Sequence, residues 1–422
     1  MSSAATATGF RNDNGIGALF DDVYLLDGRR TPFGKFCGAL STVSPTDLGI
    51  QAARAAIAAA GVDALAVDQS IVANIGQASA DAFFLPRHIA LYAGTPEQRP
   101  ALLVQRICGS GLEVLAQAGE QIALGKAQLV LGVGTDAMSR FPLVSYSARQ
   151  GFALGRPEFT DLLWEALDDT ASVPMGRTAD NLAERYGISR TEVDDFALAS
   201  QQRYAAARAR NFFTGELTAL PGQGSFEREG LKTRRFRCKS KAGLGQDEHP
   251  RETSAEQLAS LAPVFSEAGP TTAGSASGIV DGAAALLVAS GEFVRAHGLR
   301  PIARLRGHAA VGVAPAYMGI GPAPAIRALL GAAGMNLGDI GRFEINEAFA
   351  AQCLAVAREL GIEHERLNVN GGAIAVGHPL GATGLRLALT LIRTLQRDDA
   401  GLGIASACIG GGQGVALLLE RC

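Results

Sequence analysis

The stretch ALLVQRICGSGLEVLAQAGEQIALG, residues 101–125, joins two local patterns through one cysteine. Residues 101–104 form a short apolar run that suits a buried strand, and apolar residues from Leu112 onward recur at the i, i+3, i+4, i+7 spacing of a helix. Cys108 lies between the two patterns and is followed by Gly-Ser-Gly. Free N–H groups and the positive end of the helix dipole favour thiolate over thiol at such a turn. The pattern predicts a nucleophile, although free cysteines are more often inert packing.

Strand and helix patterns alternate along the rest of the chain. They precede the Cys108 stretch at 22–26, 47–61, 70–75 and 87–93, follow it at 128–133, and resume in the last third at 302–305, 323–334, 342–345, 348–361, 367–369, 381–396, 402–407 and 414–419. Alternation of this kind predicts an α/β layered fold. The last third repeats the order of the first, so we predict two duplicated halves.

The duplication aligns two turns at an offset of 270 residues, from 108 to 378: CGSG at 108–111 matches HPLG at 378–381. If the halves pack around a pseudo-twofold axis, the two helix starts face each other across one cleft. A general base beside a thiol is the expected arrangement for an activated nucleophile. We therefore predict that His378 is the base for Cys108, with Pro379 at the first position of its helix.

An insertion interrupts the first half after its strand at 128–133, whereas the second half passes through a short turn directly into its last strand. The intervening segment carries Trp164, an amphipathic helical pattern near 190–210 and many charges. We interpret it as an inserted domain that covers the cleft. The predicted boundaries are a flexible leader at 1–20, an N-terminal half at 21–135 and 266–297, an inserted loop domain at 136–265, and a C-terminal half at 298–422.

The composition limits the classes of function. The chain has 422 residues, of which 47% are hydrophobic and 19% charged, and its formal net charge of -3 argues against general nucleic-acid binding. No apolar run approaches the roughly 18 to 20 residues of a membrane span. The cysteines lack C-x-x-C spacing, so we predict no metal site and a reducing compartment, with the cytoplasm as the location.

Two further residues stand where chemistry is expected. Cys408 lies in CIGGGQG, at the tip of a predicted hairpin whose glycines bring backbone N–H groups close to a ligand; the alternative is a small apolar residue in a tight turn. Asn346 follows the strand at 342–345, where ligands bind in α/β sheets, or it caps the next helix. Two thiols and one imidazole in one cleft suit acyl transfer coupled to proton abstraction next to a carbonyl.

Four blocks, CGSGLEVLAQAGEQIALG, NEAFAAQ, NVNGGAIAVGHPLGATG and CIGGGQG, resemble the signature blocks of the thiolases, the acetyl-CoA acyltransferases. The resemblance covers about 22–421, and four blocks in the right order are highly specific. It implies two pseudo-equivalent halves packed as a five-layered α/β/α/β/α sandwich with an inserted loop domain. It also implies reversible thiolytic cleavage of 3-ketoacyl-CoA, or the reverse Claisen condensation of acetyl-CoA, with coenzyme A as substrate and no permanently bound cofactor.

The same resemblance assigns roles to five residues. Cys108 carries the acyl group as a thioester, His378 activates it, and Cys408 is the second acid/base. Asn346, through a water, and His378 form one oxyanion hole. The backbone N–H groups of Cys108 and Gly410 form the other. Both steps develop negative charge on a thioester oxygen, and one lost donor typically costs about 3 to 4 kcal/mol of barrier.

The resemblance also places CoA on the inserted domain, with Ser277 near its pantetheine arm. We expect Arg234 and Arg235, in the basic run 232–241, to pair with its phosphates. Pro174 before Met175-Gly176 resembles the degradative 3-ketoacyl-CoA thiolases more than the short-chain biosynthetic members. Members of this family are dimers or tetramers, so the resemblance implies that this protein is a homodimer or a homotetramer.

Two other functions are compatible with such a fold. A thiolase-like protein can hold acyl-CoA or a lipid without turnover, which the complete set of catalytic residues disfavours. A ketoacyl synthase of the same superfamily usually carries a Cys-His-His set. Asn346 occupies the place of one of those histidines, so the sequence favours a thiolase.

Overall fold

Strands and helices alternate through most of the computed structural model, which describes residues 5–12, 15–152, 154–155, 157–168 and 171–422. The strands are β1 Thr6–Asn12, β2 Gly15–Asp21, β3 Val23–Arg30, β4 Gly34–Lys35, β5 Gln69–Ala73, β6 Ala101–Val104, β7 Leu129–Ala137, β8 Leu143–Val144, β9 Thr160–Asp161, β10 Gln223–Phe226, β11 Arg234–Arg237, β12 Val280–Ser290, β13 Ala303–Gly312, β14 Arg342–Ile345, β15 Leu402–Ile409 and β16 Gln413–Arg421. The helices are α1 Pro45–Ala60, α2 Leu85–Ala93, α3 Ser110–Ala123, α4 Leu162–Asp168, α5 Met175–Tyr186, α6 Arg190–Ala209, α7 Ala255–Ala259, α8 Gly291–Ala296, α9 Pro322–Ala333, α10 Ala350–Leu360, α11 Ala373–Val376 and α12 Leu380–Arg397. Over the described ranges, none of these helices is long and apolar enough to cross a membrane.

The two predicted halves have the same strand order. The first runs β6-β5-β7-β12-β3, with β12 antiparallel to both of its neighbours. The second runs β14-β15-β16-β13, with β16 in the place of β12. A parallel bridge between Phe343 and Leu367 occupies the position that β6 has in the first half. The strand predicted at 367–369 is therefore reduced to one bridge.

We call the five strands of the first half the first array and the four strands of the second half the second array. The layers of the fold follow from which helices lie between these two arrays. α3 contacts β5, β7 and β16, and α12 contacts β7, β14 and β15, so both helices lie between the arrays. α1 and α2 share a core with the outer face of the first array, and α9 and α10 share one with the second. The predicted five-layered sandwich is confirmed.

Glycines let the two central helices touch at their backbones. A Cβ added to Gly111 in α3 would lie 2.8 Å from the carbonyl oxygen of Gly381 in α12. One added to Gly384 would lie 2.1 Å from the amide nitrogen of Leu112. Only glycine permits this approach, so the sequence brings the amino-terminal ends of α3 and α12 together.

The N-terminal segment forms part of the sheet. β1 pairs with β2, and β2 pairs with β13 at four positions, among them Leu19 opposite Gly307. Phe20 is buried and stacks on His308, with the ring centroids 5.7 Å apart. The prediction of a flexible leader at 1–20 is therefore wrong for the described residues of this segment, because an aromatic side chain and backbone pairing hold it against the core.

The insertion lies between β7 and β12. β7 continues to Ala137, which pairs with Asp281 of β12, so the insertion spans 138–279 rather than 136–265. The hairpin of β10 and β11 shares a core with α1 through Phe226 and Phe236, whereas α5 and α6 pack on α10. The inserted segment thus packs against both halves.

Candidate active site

Cys108 lies in a short 3-10 turn, Ile107–Gly109, between β6 and α3. Ile107 has a φ of +41°, a left-handed conformation that is strained for a β-branched residue. Strain of this kind persists only where the surrounding structure imposes it, and it is concentrated at functional sites. Cys108 lines a cavity here although it is only 4% exposed.

Burial decides the protonation state of this thiol. Burial raises the pKa of Cys108 to about 11, and it outweighs the N–H groups of Gly410 and of Cys108 itself, which donate to the sulfur and lower the pKa. The expectation that the turn favours the thiolate is therefore wrong for the resting protein, because desolvation disfavours the charged form. A base has to remove the proton.

His378 provides an imidazole from the equivalent turn of the second half. It lies two residues before α12, as Cys108 lies two residues before α3, and Pro379 is the N-cap of α12 rather than its first residue. The ring Nδ1 is 2.6 Å from Oγ1 of Thr383, and Nε2 is 3.3 Å from Nδ2 of Asn346. Burial and, second, the cation of Arg386 lower the pKa of His378 to about 3. The imidazole is thus neutral near pH 7 and can accept a proton.

Asn346 follows β14 and faces this imidazole. Its backbone N–H donates to the carbonyl oxygen of Ser406 at 2.9 Å, which ties it to the next strand. The helix α10 begins at Ala350 with Phe349 as its N-cap, so Asn346 does not cap it. Its Oδ1 is buried and has no hydrogen-bond partner among the described residues. A buried polar atom of this kind is available to a ligand.

Cys408 and Gly410 come from the hairpin of β15 and β16. Gly411 and Gly412 have φ values of +85° and +92°, which require glycine and close the hairpin tightly. Burial, followed by the nearby Cys108 sulfur, raises the pKa of Cys408 well above its usual range. Cys408 is fully buried and packs on Met175, so it lies behind the cavity wall.

One cavity of about 450 Å³ has both Cys108 and His378 on its wall, whereas Asn346, Cys408 and Gly410 are not among its lining residues. It is lined by Cys108, Met138, Trp164, Leu167, Asp168, Pro174, Met175, Gly176, Val264, Phe265, Ala276, Ser277, Gly278, Ile279, Met318, Ala348, Phe349, His378 and Leu380. Ser277, which the resemblance places near the pantetheine arm of CoA, is one of these lining residues. The wall is mainly apolar and is formed largely by residues of the insertion together with Cys108, His378 and Leu380 from the two turns.

Arg234 and Arg235 are not part of the cavity wall. Nε of Arg234 lies 2.8 Å from a carboxylate oxygen of Asp47, and Nη1 lies 2.7 Å from Asp81. Arg235 borders two surface clefts beside α1 instead. The structure therefore does not place these two arginines with Cys108, because the hairpin that carries them packs on the outer face of the first half.

Asp136, at the end of β7, anchors the start of α12. Its carboxylate accepts hydrogen bonds from the backbone N–H of Gly381 at 2.6 Å and from those of Ile75 and Gly76 at 3.1 Å. Burial raises its pKa to about 6 despite these donors. The carboxylate thus links β7, in the first array of strands, to α12, the helix that follows His378.

No individual role was predicted for three wall or support residues, although Phe349 lies in the block NEAFAAQ and Thr383 in the block NVNGGAIAVGHPLGATG. Phe265 and Phe349 form an edge-to-face pair with ring centroids 5.7 Å apart, although they lie on different segments. Thr383 is one more threonine inside a helical pattern. Within the described parts of the chain, no group of three or more His, Cys, Asp or Glu side chains is arranged to hold a metal ion.

One thiol and an imidazole on the wall of an apolar cavity, with a second thiol behind that wall and a carboxamide against the imidazole, are the arrangement of an acyltransferase that works through a cysteine. Comparison with known protein families narrows that class. The family model described as "Thiolase, N-terminal domain" matches residues 23–292, and the one described as "Thiolase, C-terminal domain" matches residues 299–421. The chain belongs to the thiolase family.

Known relatives resemble the chain over nearly its whole length. It is 42% identical to a mitochondrial 3-ketoacyl-CoA thiolase of Homo sapiens over 96% of this chain and 99% of the relative. It is 42% identical to an acetyl-CoA acetyltransferase of Escherichia coli over 93% of this chain and 97% of that relative. The crystal structure of human mitochondrial 3-ketoacyl-CoA thiolase in complex with CoA superposes with a TM-score of 0.89, at 41% identity, over 95% of this chain and 98% of that one.

Proposed function

We propose that this thiolase cleaves 3-ketoacyl-CoA with CoA, and catalyses the reverse condensation, through a thioester on Cys108. The observation that carries the proposal is that Cys108 and His378, from equivalent turns of the two halves, line one cavity. Relatives named as a 3-ketoacyl-CoA thiolase and an acetyl-CoA acetyltransferase support the same reaction. The alternative of a non-catalytic acyl-CoA-binding protein gains no support from them.

In the first half-reaction His378 takes the proton of Cys108 as the sulfur attacks the C3 carbonyl carbon of the substrate. The N–H groups of Cys108 and Gly410 donate to the sulfur in the resting protein, so they lie close to where the oxyanion forms. The C2–C3 bond then breaks, which leaves the shortened acyl group on Cys108. Cys408 gives its proton to C2 of the departing acetyl-CoA enolate.

In the second half-reaction CoA replaces acetyl-CoA. The Cys408 thiolate takes the proton of the CoA thiol, and the CoA sulfur attacks the thioester carbon. Cys108 leaves as a thiolate and recovers its proton from His378. The high pKa of Cys408, which burial causes, suits a group that must hold its proton until a carbanion forms.

His378 and Asn346 contribute the second oxyanion hole. The carboxamide Nδ2 lies 3.3 Å from the imidazole Nε2, and Oδ1 of Asn346 has no partner among the described residues. The amide of Asn346 would hold a water molecule. That water and the imidazole of His378 would both face the oxygen of the acetyl-CoA enolate. Donors fixed before the reaction stabilise that charge without reorganisation.

We propose a degradative 3-ketoacyl-CoA thiolase that accepts acyl chains longer than acetyl. Trp164, Met138 and Leu167 line an apolar cavity beside Cys108, where a hydrocarbon chain would be shielded from water. Pro174 and Met175 border the same cavity. Ser277 lies on its wall, where the pantetheine arm of CoA would pass, and the inserted segment supplies the CoA-binding side.

The test is steady-state thiolysis across a series of 3-ketoacyl-CoA chain lengths. We expect kcat/KM to rise beyond acetoacetyl-CoA, and loss of the substrate signal to require CoA. Cys108→Ser should lower the rate by at least about 10⁴-fold, as loss of an enzyme nucleophile does. An undiminished rate for Cys108→Ser would contradict the mechanism, and activity confined to acetoacetyl-CoA would contradict the subclass.

We further propose a homodimer or homotetramer in the cytoplasm. Large apolar side chains are exposed on the inserted segment, including Leu143, Tyr146 and Phe159, and association of copies would bury them. Free cysteines fit a reducing compartment. Light scattering of the purified protein tests the first statement, and a particle of the monomer mass of 43.6 kDa would contradict it. Cell fractionation tests the second.

A further inference from the structure

Thr383 has one hydroxyl proton, and two neighbouring atoms, a ring nitrogen and a carbonyl oxygen, compete for it. Its Oγ1 lies 2.6 Å from Nδ1 of His378 and 2.9 Å from the carbonyl oxygen of Pro379. Thr383 is fully buried and His378 nearly so. The carbonyl oxygen of Pro379 can only accept, so the direction of both hydrogen bonds follows from where that single proton goes.

The hydroxyl proton goes to Pro379. A threonine in a helix commonly donates to the carbonyl oxygen four residues earlier, and Pro379 stands in that position. Oγ1 then offers only lone pairs to the imidazole, so Nδ1 of His378 carries the hydrogen. The second ring nitrogen is compatible with this tautomer: Nε2 lies 3.3 Å from Nδ2 of Asn346, and its lone pair can accept a hydrogen bond from that amide.

We propose that Thr383 is a positioning residue that fixes His378 in the Nδ1–H tautomer and so leaves Nε2 to receive the proton of Cys108. The inference rests on the proposed function. In the step, Nε2 gives up the hydrogen bond that it accepts from Nδ2 of Asn346, the S–H bond of Cys108 breaks and an N–H bond forms at Nε2, which gives a thiolate and an imidazolium. The Nδ1–H remains bonded to Thr383 throughout.

A hydroxyl partner also differs from a carboxylate in its effect on this cation. In a Ser-His-Asp triad the carboxylate stabilises the imidazolium that forms. Thr383 carries no charge, and Arg386 adds a like charge nearby that lowers the pKa of His378. The imidazolium therefore gives its proton to the leaving thiolate of Cys108 more readily than an imidazolium paired with a carboxylate would.

The experiment compares the full-length protein with Thr383→Val and Thr383→Ser. Histidine labelled with ¹⁵N reports the tautomer directly, and the His378 signals are assigned by their absence in His378→Ala. We expect Nδ1–H in the unmodified protein and in Thr383→Ser. We expect loss of that single tautomer in Thr383→Val, which keeps the shape but has no acceptor.

Kinetics provide the second readout. We expect kcat for thiolysis to fall roughly 10²-fold in Thr383→Val with KM for CoA nearly unchanged, within the range for general-base catalysis, and Thr383→Ser to restore it. An Nε2–H tautomer in the unmodified protein would overturn the inference even if Thr383→Val did not fold. Full kcat in Thr383→Val would also overturn it. Either result leaves the proposed function intact, whereas an active Cys108→Ser refutes that function itself.

Discussion

The two turns at 108–111 and 378–381 occupy equivalent places in the duplicated halves and hold different chemistry. Each runs into the first two residues of a central helix, and the backbones of the two helices touch through Gly111 and Gly384. Cys108 receives hydrogen bonds from backbone N–H groups only, whereas His378 contacts the side chains of Thr383 and Asn346. The scaffold thus supplies two matching positions, and the surrounding side chains decide which becomes the nucleophile and which the base.

The residues five positions after each functional group show the difference most clearly. Glu113 lies five positions after Cys108 and pairs with Arg106, at 3.0 Å between Nε and Oε2. Thr383 lies five positions after His378 and contacts its ring. A carboxylate neutralised by arginine leaves the thiol without a charged neighbour on its own helix, and a hydroxyl orients the imidazole. Equivalent backbones therefore carry non-equivalent electrostatics.

Removal of the His378 imidazole is expected to have the largest effect, and it tests whether the two equivalent turns act as a thiol and its base. His378→Ala should lower Cys108 acylation by about 10³-fold, because no neighbouring group then takes the thiol proton. His378 has a pKa lowered to about 3 and stays neutral above it, so the base-dependent alkylation rate of Cys108 should be constant from pH 5 to 9. In the variant the thiol ionises alone, with its pKa raised to about 11, and the rate should rise about tenfold per pH unit.

Iodoacetamide inactivation of both proteins across this pH range measures the effect. A variant whose alkylation rate stays flat with pH would show that His378 does not serve as the base. Thermal unfolding of the two proteins provides the control for folding.

The hairpin thiol lies outside the matched pair of turns, so its removal should separate the two half-reactions. Cys408→Ala should slow α-proton exchange on acetyl-CoA by about 10²-fold, since it removes the second acid/base. Acylation of Cys108 by acetyl-CoA should persist, because the two turns suffice for it. Exchange into deuterated water is followed by NMR and acylation by mass spectrometry. Unchanged exchange would remove the role assigned to Cys408.

The contact between the two helices gives the smallest effect. Gly384→Ala places a Cβ 2.1 Å from the amide nitrogen of Leu112, so the free energy of unfolding should fall by about 1 to 3 kcal/mol. Gly331→Ala in α9 is the matched control, because a Cβ there meets no atom within 4 Å and should stabilise by about 0.5 to 1 kcal/mol. Denaturant unfolding measures both. Equal effects would show that the backbone contact is not needed.

Sequence patterns predicted most of the fold because local periodicity reports which faces are buried. The strands at 101–104 and 342–345 were predicted with the bounds that the structure has. The hairpin of β1 and β2 was missed because its pairing partner, β13, is almost 300 residues away and short glycine-rich runs resemble a leader. The strand predicted at 367–369 is a single bridge between Leu367 and Phe343 in the structure, and the side chain of Asn368 rather than a longer backbone ladder bonds to Ile345 of β14.

Residues of the candidate site were predicted from the sequence, but the protonation state of Cys108 and the ion-pair partners of Arg234 were not. The repeat aligned Cys108 with His378, and the structure places both on one cavity. The sequence also suggested a thiolate at Cys108, yet burial raises the pKa of that thiol to about 11. Arg234 was expected to face phosphates, yet Asp47 and Asp81 hold its guanidinium.

The sequence by itself determined the duplicated α/β layers, the cysteine and histidine at matching turns, and the thiolase signature blocks. These features are local, so spacing and residue type suffice to show them. Only the folded structure shows that Cys108 rests as a thiol, that His378 rests neutral with Nε2 facing Asn346, and that residues of the insertion line the same cavity as these two. Desolvation and side-chain partners depend on segments that meet only when the chain folds, and no pattern along the chain contains them.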